Sequence, residues 1–180
     1  MLYRALPEFD FVEPASLEEA GEALASSPNA AVMAGGISLL DAMKRGMAQP
    51  PTTIVSLKRI PGLRYIEGSR AGGMRIGPLT TIRDAELSET VKNEYPLLHD
   101  ALSNIHSVQV KTMGTVLGNV CVGTPASDIL TALVALDADL RLAGRDGDAL
   151  LPAASLCQAA KRTCLAPTDI VEAIEVPALP

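Results

Sequence analysis

Two glycine-bearing turns, Ala34-Gly35-Gly36-Ile37-Ser38 and Thr115-Val116-Leu117-Gly118-Asn119, stand far apart in this chain, and each follows an apolar run. Gly35 and Gly36 admit positive φ and let another group approach the main chain, which a residue with a Cβ resists. Backbone N–H groups beside a hydroxyl are also how a protein wraps the phosphates of a dinucleotide without spending positive side chains. The pair therefore points to a nucleotide-type ligand held between two halves of the protein. Taken singly, each turn reads equally well as a connection with no ligand: strand to helix for the first, and a polar bend between helix and strand for the second.

The segments around the first turn define a small α/β unit. Ser16-Leu17-Glu18-Glu19 reads as a capping box, and Leu17, Ala20 and Leu24 recur at helical spacing until Ser26-Ser27-Pro28-Asn29 interrupts them. Ala30 to Ala34 is a short apolar strand, helical periodicity returns from Ser38 to Arg45, and Gly46 stands where a helix would stop. The β-branched run Thr53 to Leu57 is bounded by Pro50-Pro51 and Pro61-Gly62. Beyond it the spacing predicts a hairpin of Leu63 to Glu67 with Met74 to Gly77, and helices over Thr81 to Val91, Pro96 to Ile105 and Ala126 to Leu136. Asp139 to Leu142 is expected to pair with Ala149 to Leu151 across Gly144-Arg145-Asp146-Gly147, and Asp169 to Val176 is the last strand. The expected fold class is α+β, with an N-terminal α/β lobe over 1–60 and a larger α+β lobe over 61–180.

Composition removes several functions. The 180 residues, 48% of them hydrophobic, can fill one sizeable core. A net charge of −6 without a long basic cluster disfavours nucleic acid, whose phosphates are neutralised by Lys and Arg, and a chain with no Trp lacks the best platform for stacking bases. No apolar run spans a bilayer and the N-terminus lacks a signal-peptide pattern, so a cytoplasmic location is expected. Cys121, Cys157 and Cys164 are too few for a four-thiolate metal centre and are expected to be reduced, most of them as core filler. His99 and His106, seven apart, lack a third ligand and make a poor metal site. No G-x-G-x-x-G, Walker A loop or G-x-S-x-G elbow occurs, so phosphate binding would need another scaffold and no catalytic residue is assigned. Asp128, after Thr124-Pro125-Ala126-Ser127, reads either as a helix N-terminal carboxylate with Pro125 entering the helix, or as an acceptor for a ligand hydroxyl.

The order of the pieces is more specific than any one of them. The first turn with Leu39-Leu40 is followed by Ile76-Gly77-Pro78-Leu79-Thr80-Thr81, and Gln109-Val110-Lys111 leads to the second turn. Pro125 to Asp128 and Glu172-Ala173-Ile174-Glu175-Val176-Pro177 complete the series. Over nearly the whole chain this resembles the FAD-binding medium subunit, or middle domain, of the molybdenum hydroxylases, the xanthine dehydrogenase and carbon monoxide dehydrogenase family. The resemblance implies a two-lobed flavin domain of the PCMH, or vanillyl-alcohol-oxidase, type with FAD in the cleft. It assigns FAD contacts to Val32, Met33, Ala34, Gly35, Gly36, Ile37, Ser38 and Leu39, and to Thr115, Gly118 and Asn119. Asp128 matches the family aspartate, and Ile105 and Leu165 match positions that flank the flavin. The implied role is electron relay from iron–sulfur clusters of a small partner subunit to an external acceptor, NAD or another, with substrate hydroxylation on a molybdopterin large subunit.

Two departures qualify that resemblance. The family's T-I-G-G-N reads here as Thr115-Val116-Leu117-Gly118-Asn119, so Leu117 is expected to crowd the phosphate or shift the turn. The chain also reaches Pro180 soon after the family's I-x-V-P strand, so the usual C-terminal flavoprotein domain is expected to be absent, as in a natural short form or a fragment of a larger flavoprotein. Rival readings are a flavin-poor scaffold subunit and a self-contained flavin oxidase.

Overall fold

The computed structural model describes residues 5–143 and 149–179. Its first part is a three-stranded parallel sheet in the order β1 (Asp10–Val12), β3 (Thr53–Ser56), β2 (Ala30–Met33), with α1 (Leu17–Ser26) and α2 (Ile37–Lys44) as connections. Every residue of β3 is buried, as a central strand covered on both faces requires. Ser16 caps α1 by accepting the Glu19 N–H at 3.1 Å, while the Glu19 carboxylate reaches past the cap to the Ala15 N–H at 2.8 Å. Gly46 follows α2 with φ +79°, the left-handed stop its position suggested. The expectation omits β1, because three residues on a sheet edge carry too little periodicity to register.

The second sheet is antiparallel throughout, in the order β4 (Ile66–Ser69), β5 (Gly73–Ile76), β10 (Ile170–Val176), β6 (Asp139–Ala143), β7 (Ala149–Pro152). The C-terminal strand thus fills the centre, and Ile174 pairs with both Ile76 and Leu140. The expected hairpin of 63–67 with 74–77 forms with its first strand shifted towards Ser69, and 139–142 pairs with 149–151 as expected. The intervening residues 144–147 belong to the expected turn and lie outside the described residues, with 147 followed by 148 also outside. A small hairpin of β8 (Cys157–Ala159) and β9 (Arg162–Thr163) was not anticipated.

Six helices lie between β5 and β6: α3 (Ile82–Leu87), α4 (Glu89–Glu94), α5 (Pro96–Ser103), α6 (Val108–Met113), α7 (Val116–Cys121) and α8 (Asp128–Ala135). The single helix expected over 81–91 is two, because Ser88 takes extended geometry and its hydroxyl accepts the Val91 N–H, ending one helix and capping the next. The helix expected over 126–136 begins at Asp128; Ser127 is its cap and Pro125 lies before it. A large core joins all of these helices but α6 to the second sheet through Ile76, Leu98, Leu102, Val116, Leu133, Leu140 and Ile174. A second cluster contains Ala20, Leu24 and Val55 from the first sheet's layer together with Leu63 and Ile170, so both sheets share apolar packing. No helix among the described residues is long and apolar enough to cross a membrane.

Candidate functional site

The β2–α2 connection opens onto a cavity of about 410 Å³. Gly36 is the N-cap of α2 at φ +82°, a conformation L side chains rarely adopt, and it offers no side-chain cap. The N–H groups of Ile37, Ser38 and Leu39 consequently have no partner among the described residues; the first helical bond is Leu40 N–H to the Gly36 carbonyl at 3.0 Å. Gly35 is glycine for a different reason. A Cβ there would sit 2.2 Å from the Met113 carbonyl oxygen and 3.0 Å from the Gly114 Cα. The first motif is therefore pressed against the joint between α6 and α7.

That joint is stitched to the start of α3. Ile82 N–H donates to the Gly114 carbonyl at 2.9 Å, Val116 N–H donates to the Thr80 carbonyl at 3.0 Å, and Thr81 pairs with Thr115 in an isolated antiparallel bridge. The expected second turn is in fact the first turn of α7, capped by Thr115, whose hydroxyl accepts the Gly118 N–H at 2.9 Å. The Thr115 cap, which satisfies a first-turn donor, favours helix over a bend. Gly118 leaves room for this cap, since a Cβ would stand 2.7 Å from Thr115 Oγ1. With Asn119 N–H bonded to the Thr115 carbonyl, Leu117 N–H is the first-turn donor of α7 left without a partner among the described residues.

Leu117 is 6% exposed, packs into the large core and also lines the cavity. Neither Leu117 nor Gly118 has positive φ, so the backbone here does not demand glycine at 117. Asn119 turns its carbonyl oxygen to the Ser127 hydroxyl, which donates at 2.5 Å, and its amide N–H₂ has no partner among the described residues. The buried Ser127 hydroxyl also accepts the Leu130 N–H at 3.1 Å, so one side chain caps α8 and orients Asn119.

The cavity is lined by all of the sequence-assigned residues except Ile105 and Asp128. Ile105 packs against the large core, and Asp128 opens α8 with its carboxylate 3.4 Å from the Asn104 amide nitrogen. Sequence reasoning did not anticipate the remaining walls. They come from Leu57, Ile82, Val110 and the loop and strand around Ala166 to Val171, of which the sequence signalled only the strand beginning at Asp169. Among the described residues Asp169 is the sole charged one in the lining, and its carboxylate accepts the Ala166 N–H at 2.8 Å, closing that loop. An anion in this cavity would meet main-chain N–H groups and a helix N-terminus, with no cation in the lining.

The cysteines depart from expectation. Cys157 is exposed, Cys164 is half-buried, and Cys121 alone both packs against the large core and lines the cavity. Burial pushes the Cys121 thiol up to about 12, so it stays protonated and unreactive. Among the described residues, no three His, Cys, Asp or Glu side chains come together as metal ligands.

An open α2 N-terminus, a positive-φ glycine beside it and apolar walls fit a dinucleotide with a pyrophosphate and a flat hydrophobic ring. Residues 7–179 match the family model described as "FAD binding domain in molybdopterin dehydrogenase". The chain is 34% identical over 173 residues to the glyceraldehyde dehydrogenase medium chain of Sulfolobus acidocaldarius, covering 96% of this chain and 61% of that one. It is also 34% identical over 175 residues to the carbon monoxide dehydrogenase medium chain of Hydrogenophaga pseudoflava, with 96% and 60% covered. A solved structure of the Hydrogenophaga pseudoflava carbon monoxide dehydrogenase superposes with a TM-score of 0.91 at 32% identity, over 98% of this chain and 61% of that one. Quinoline 2-oxidoreductase from Pseudomonas putida 86 gives 0.90 at 26% identity, with 97% and 61% covered. The chain thus spans about 60% of the length of the relatives it matches.

Proposed function

The chain belongs to the family of FAD-binding domains of molybdopterin dehydrogenases, and from that premise we propose that it is the flavin-holding part of an electron-transfer subunit. In this reading electrons arrive from iron–sulfur clusters on a small partner subunit and leave to an external acceptor, while a molybdopterin large subunit oxidises the substrate. The relatives named as medium chains and medium subunits support such an assembly. The observation that carries the reading is the uncapped N-terminus of α2 opening into the cavity beside Gly36.

The residues divide the work by chemistry. The N–H groups of Ile37, Ser38 and Leu39 hold the pyrophosphate, using hydrogen bonds and the helix dipole in place of cations. Thr115 and Gly118 fix the start of α7, and the Asn119 amide donates to a ligand oxygen. Val32, Leu117, Leu165 and Val171 exclude water from the ring. Ile105 and Asp128, outside the cavity lining, contact the ligand beyond its rim in this proposal. FAD, when bound, supplies the reversible redox chemistry, and the protein supplies position and electrostatics.

Purified protein tests this directly. A bound flavin spectrum, with FAD released on denaturation, is the expected result, and apoprotein should recover it on adding FAD. Colourless protein that ignores added FAD would establish the flavin-poor scaffold, the alternative favoured by Leu117 in the wall and by the internally bonded N–H groups of α7.

A further inference from the structure

Helix α6 is a wall with an unusual foundation. It stands between two cavities: Val110 lines the 410 Å³ cavity, and Thr112 and Met113 line a neighbouring one of about 390 Å³. Val108 and Met113 are more than half exposed, and Gln109 and Thr112 are also exposed. A six-residue helix with so little apolar burial gains little hold from packing, and the main-chain bond from Ile82 to Gly114 anchors only its C-terminal end. Its one buried residue is Lys111, 5% exposed and the only buried charged residue among those described.

Lys111 Nζ donates to Glu86 Oε1 on α3 at 2.5 Å and to the Ser103 carbonyl at the end of α5 at 3.5 Å. Glu86 is held from its other oxygen by Arg83 at 2.7 Å. One ammonium group therefore ties α6 to two neighbouring helices. The position of α6 also fixes both glycine motifs. Its terminal carbonyl, Met113 O, occupies the space a Cβ on Gly35 would need, and Gly114 leads directly to the Thr115 cap of α7.

We propose that Lys111, latched by Glu86, is the positioning residue of the flavin cleft: it sets α6 at the separation that lets the β2–α2 loop and α7 engage one FAD molecule. The inference rests on reading the cavity as an FAD site. Removing Lys111 leaves the Glu86 carboxylate to Arg83 alone, and removing the Glu86 charge leaves the buried Lys111 ammonium with only the Ser103 carbonyl, so in either case α6 loses its charged tie to α3. The wall would move before the core does, because the large core includes no residue of α6.

The test compares apoprotein of the wild type with Lys111→Met, Lys111→Arg, Glu86→Gln and Leu133→Ala, the last a buried α8 change that lines neither cavity. FAD affinity and release are followed by flavin fluorescence, global stability by urea, and α6 opening by amide exchange over 108–114. Lys111→Met should raise the FAD dissociation constant about tenfold or more, with faster FAD release and faster exchange in α6. Lys111→Arg should recover most of the affinity, and Leu133→Ala should lose stability without a comparable loss of FAD. Wild-type FAD affinity in Lys111→Met, or an equal loss in Leu133→Ala, overturns the proposal. If Lys111→Met does not fold, Glu86→Gln decides, since unchanged affinity in that variant also overturns it. A wild-type protein that binds no FAD defeats the functional reading itself and this proposal with it, an outcome distinct from binding that is indifferent to Lys111.

Discussion

The two glycine motifs meet at one cavity but are built in opposite ways. At the β2–α2 connection the main chain is left open: Gly36 caps α2 without a side chain, and the next three N–H groups have no partner among the described residues. At the α6–α7 joint the main chain is largely used up, with Val116, Gly118 and Asn119 N–H groups bonded to Thr80, the Thr115 hydroxyl and the Thr115 carbonyl. The first region is suited to receive an anion, whereas the second is suited to be a rigid wall. Similar-looking glycines thus do different work. Gly36 supplies a left-handed turn, Gly35 supplies clearance for a carbonyl, and Gly118 supplies clearance for a cap.

The sharpest way to break this contrast is Leu117→Gly, which restores the family glycine. Because Leu117 is buried in the large core, the loss of its side chain and the added helix flexibility should cost about 3–5 kcal/mol of stability in urea unfolding. The same variant should bind FAD no more tightly than the wild type. Tighter binding would show that Leu117 obstructs the ligand and that α7 is more than a wall.

Changes in the first region should act on flavin before they act on the whole fold. Gly35→Ala drives a Cβ into Met113 O and should cost about 1–3 kcal/mol, while Gly36→Val places a β-branched residue at φ +82° with a similar penalty. Both should lower flavin retention after gel filtration, and normal retention in either would count against an anion site at α2. Thr115→Val, by contrast, removes only the cap of α7 and should cost about 1 kcal/mol, read from the same urea curves.

The smallest effect is electrostatic and belongs to the α3–α6 side. Burial acts to raise the Glu86 carboxyl, but hydrogen bonds from Lys111 and Arg83 and their charges outweigh it, leaving Glu86 below the ordinary carboxylate value. Asp84 is also lowered: burial opposes, and bonds from Arg64 and Thr81 prevail. A carboxylate depressed in the folded state stabilises fully above its unfolded value, and that stability is lost as pH falls through the folded value. Unfolding midpoints should therefore drop as acid is added below about pH 5, where unfolded carboxylates begin to protonate. Glu86→Gln should flatten part of that slope. The open α2 terminus contributes no such term, so Gly36→Val should leave the slope unchanged.

Much of the scaffold was legible because it rests on local rules. The Ser16 cap, the apolar run before Gly35, the Gly46 stop and the pairing of 139–142 with 149–151 each depend on neighbours in sequence. The legible elements fail where a local signal is too short or where a hydroxyl competes with the helix, as at β1 and at Ser88. The motifs, taken in order, were enough to identify the family and FAD.

By itself the sequence determined the α+β class and the two motifs, since periodicity, caps and glycine placement are written along the chain, and FAD followed from the family that the ordered motifs resemble. Only the tertiary structure decided that Gly35 abuts Met113, that Leu117 belongs to the core as well as the cavity, and that the buried Lys111 of α6 meets Glu86 of α3. Each of these is a contact between residues distant in the chain or on separate elements. Their cause is close packing around a shared cavity, and no spacing along the sequence reports which side chain must fill a given space.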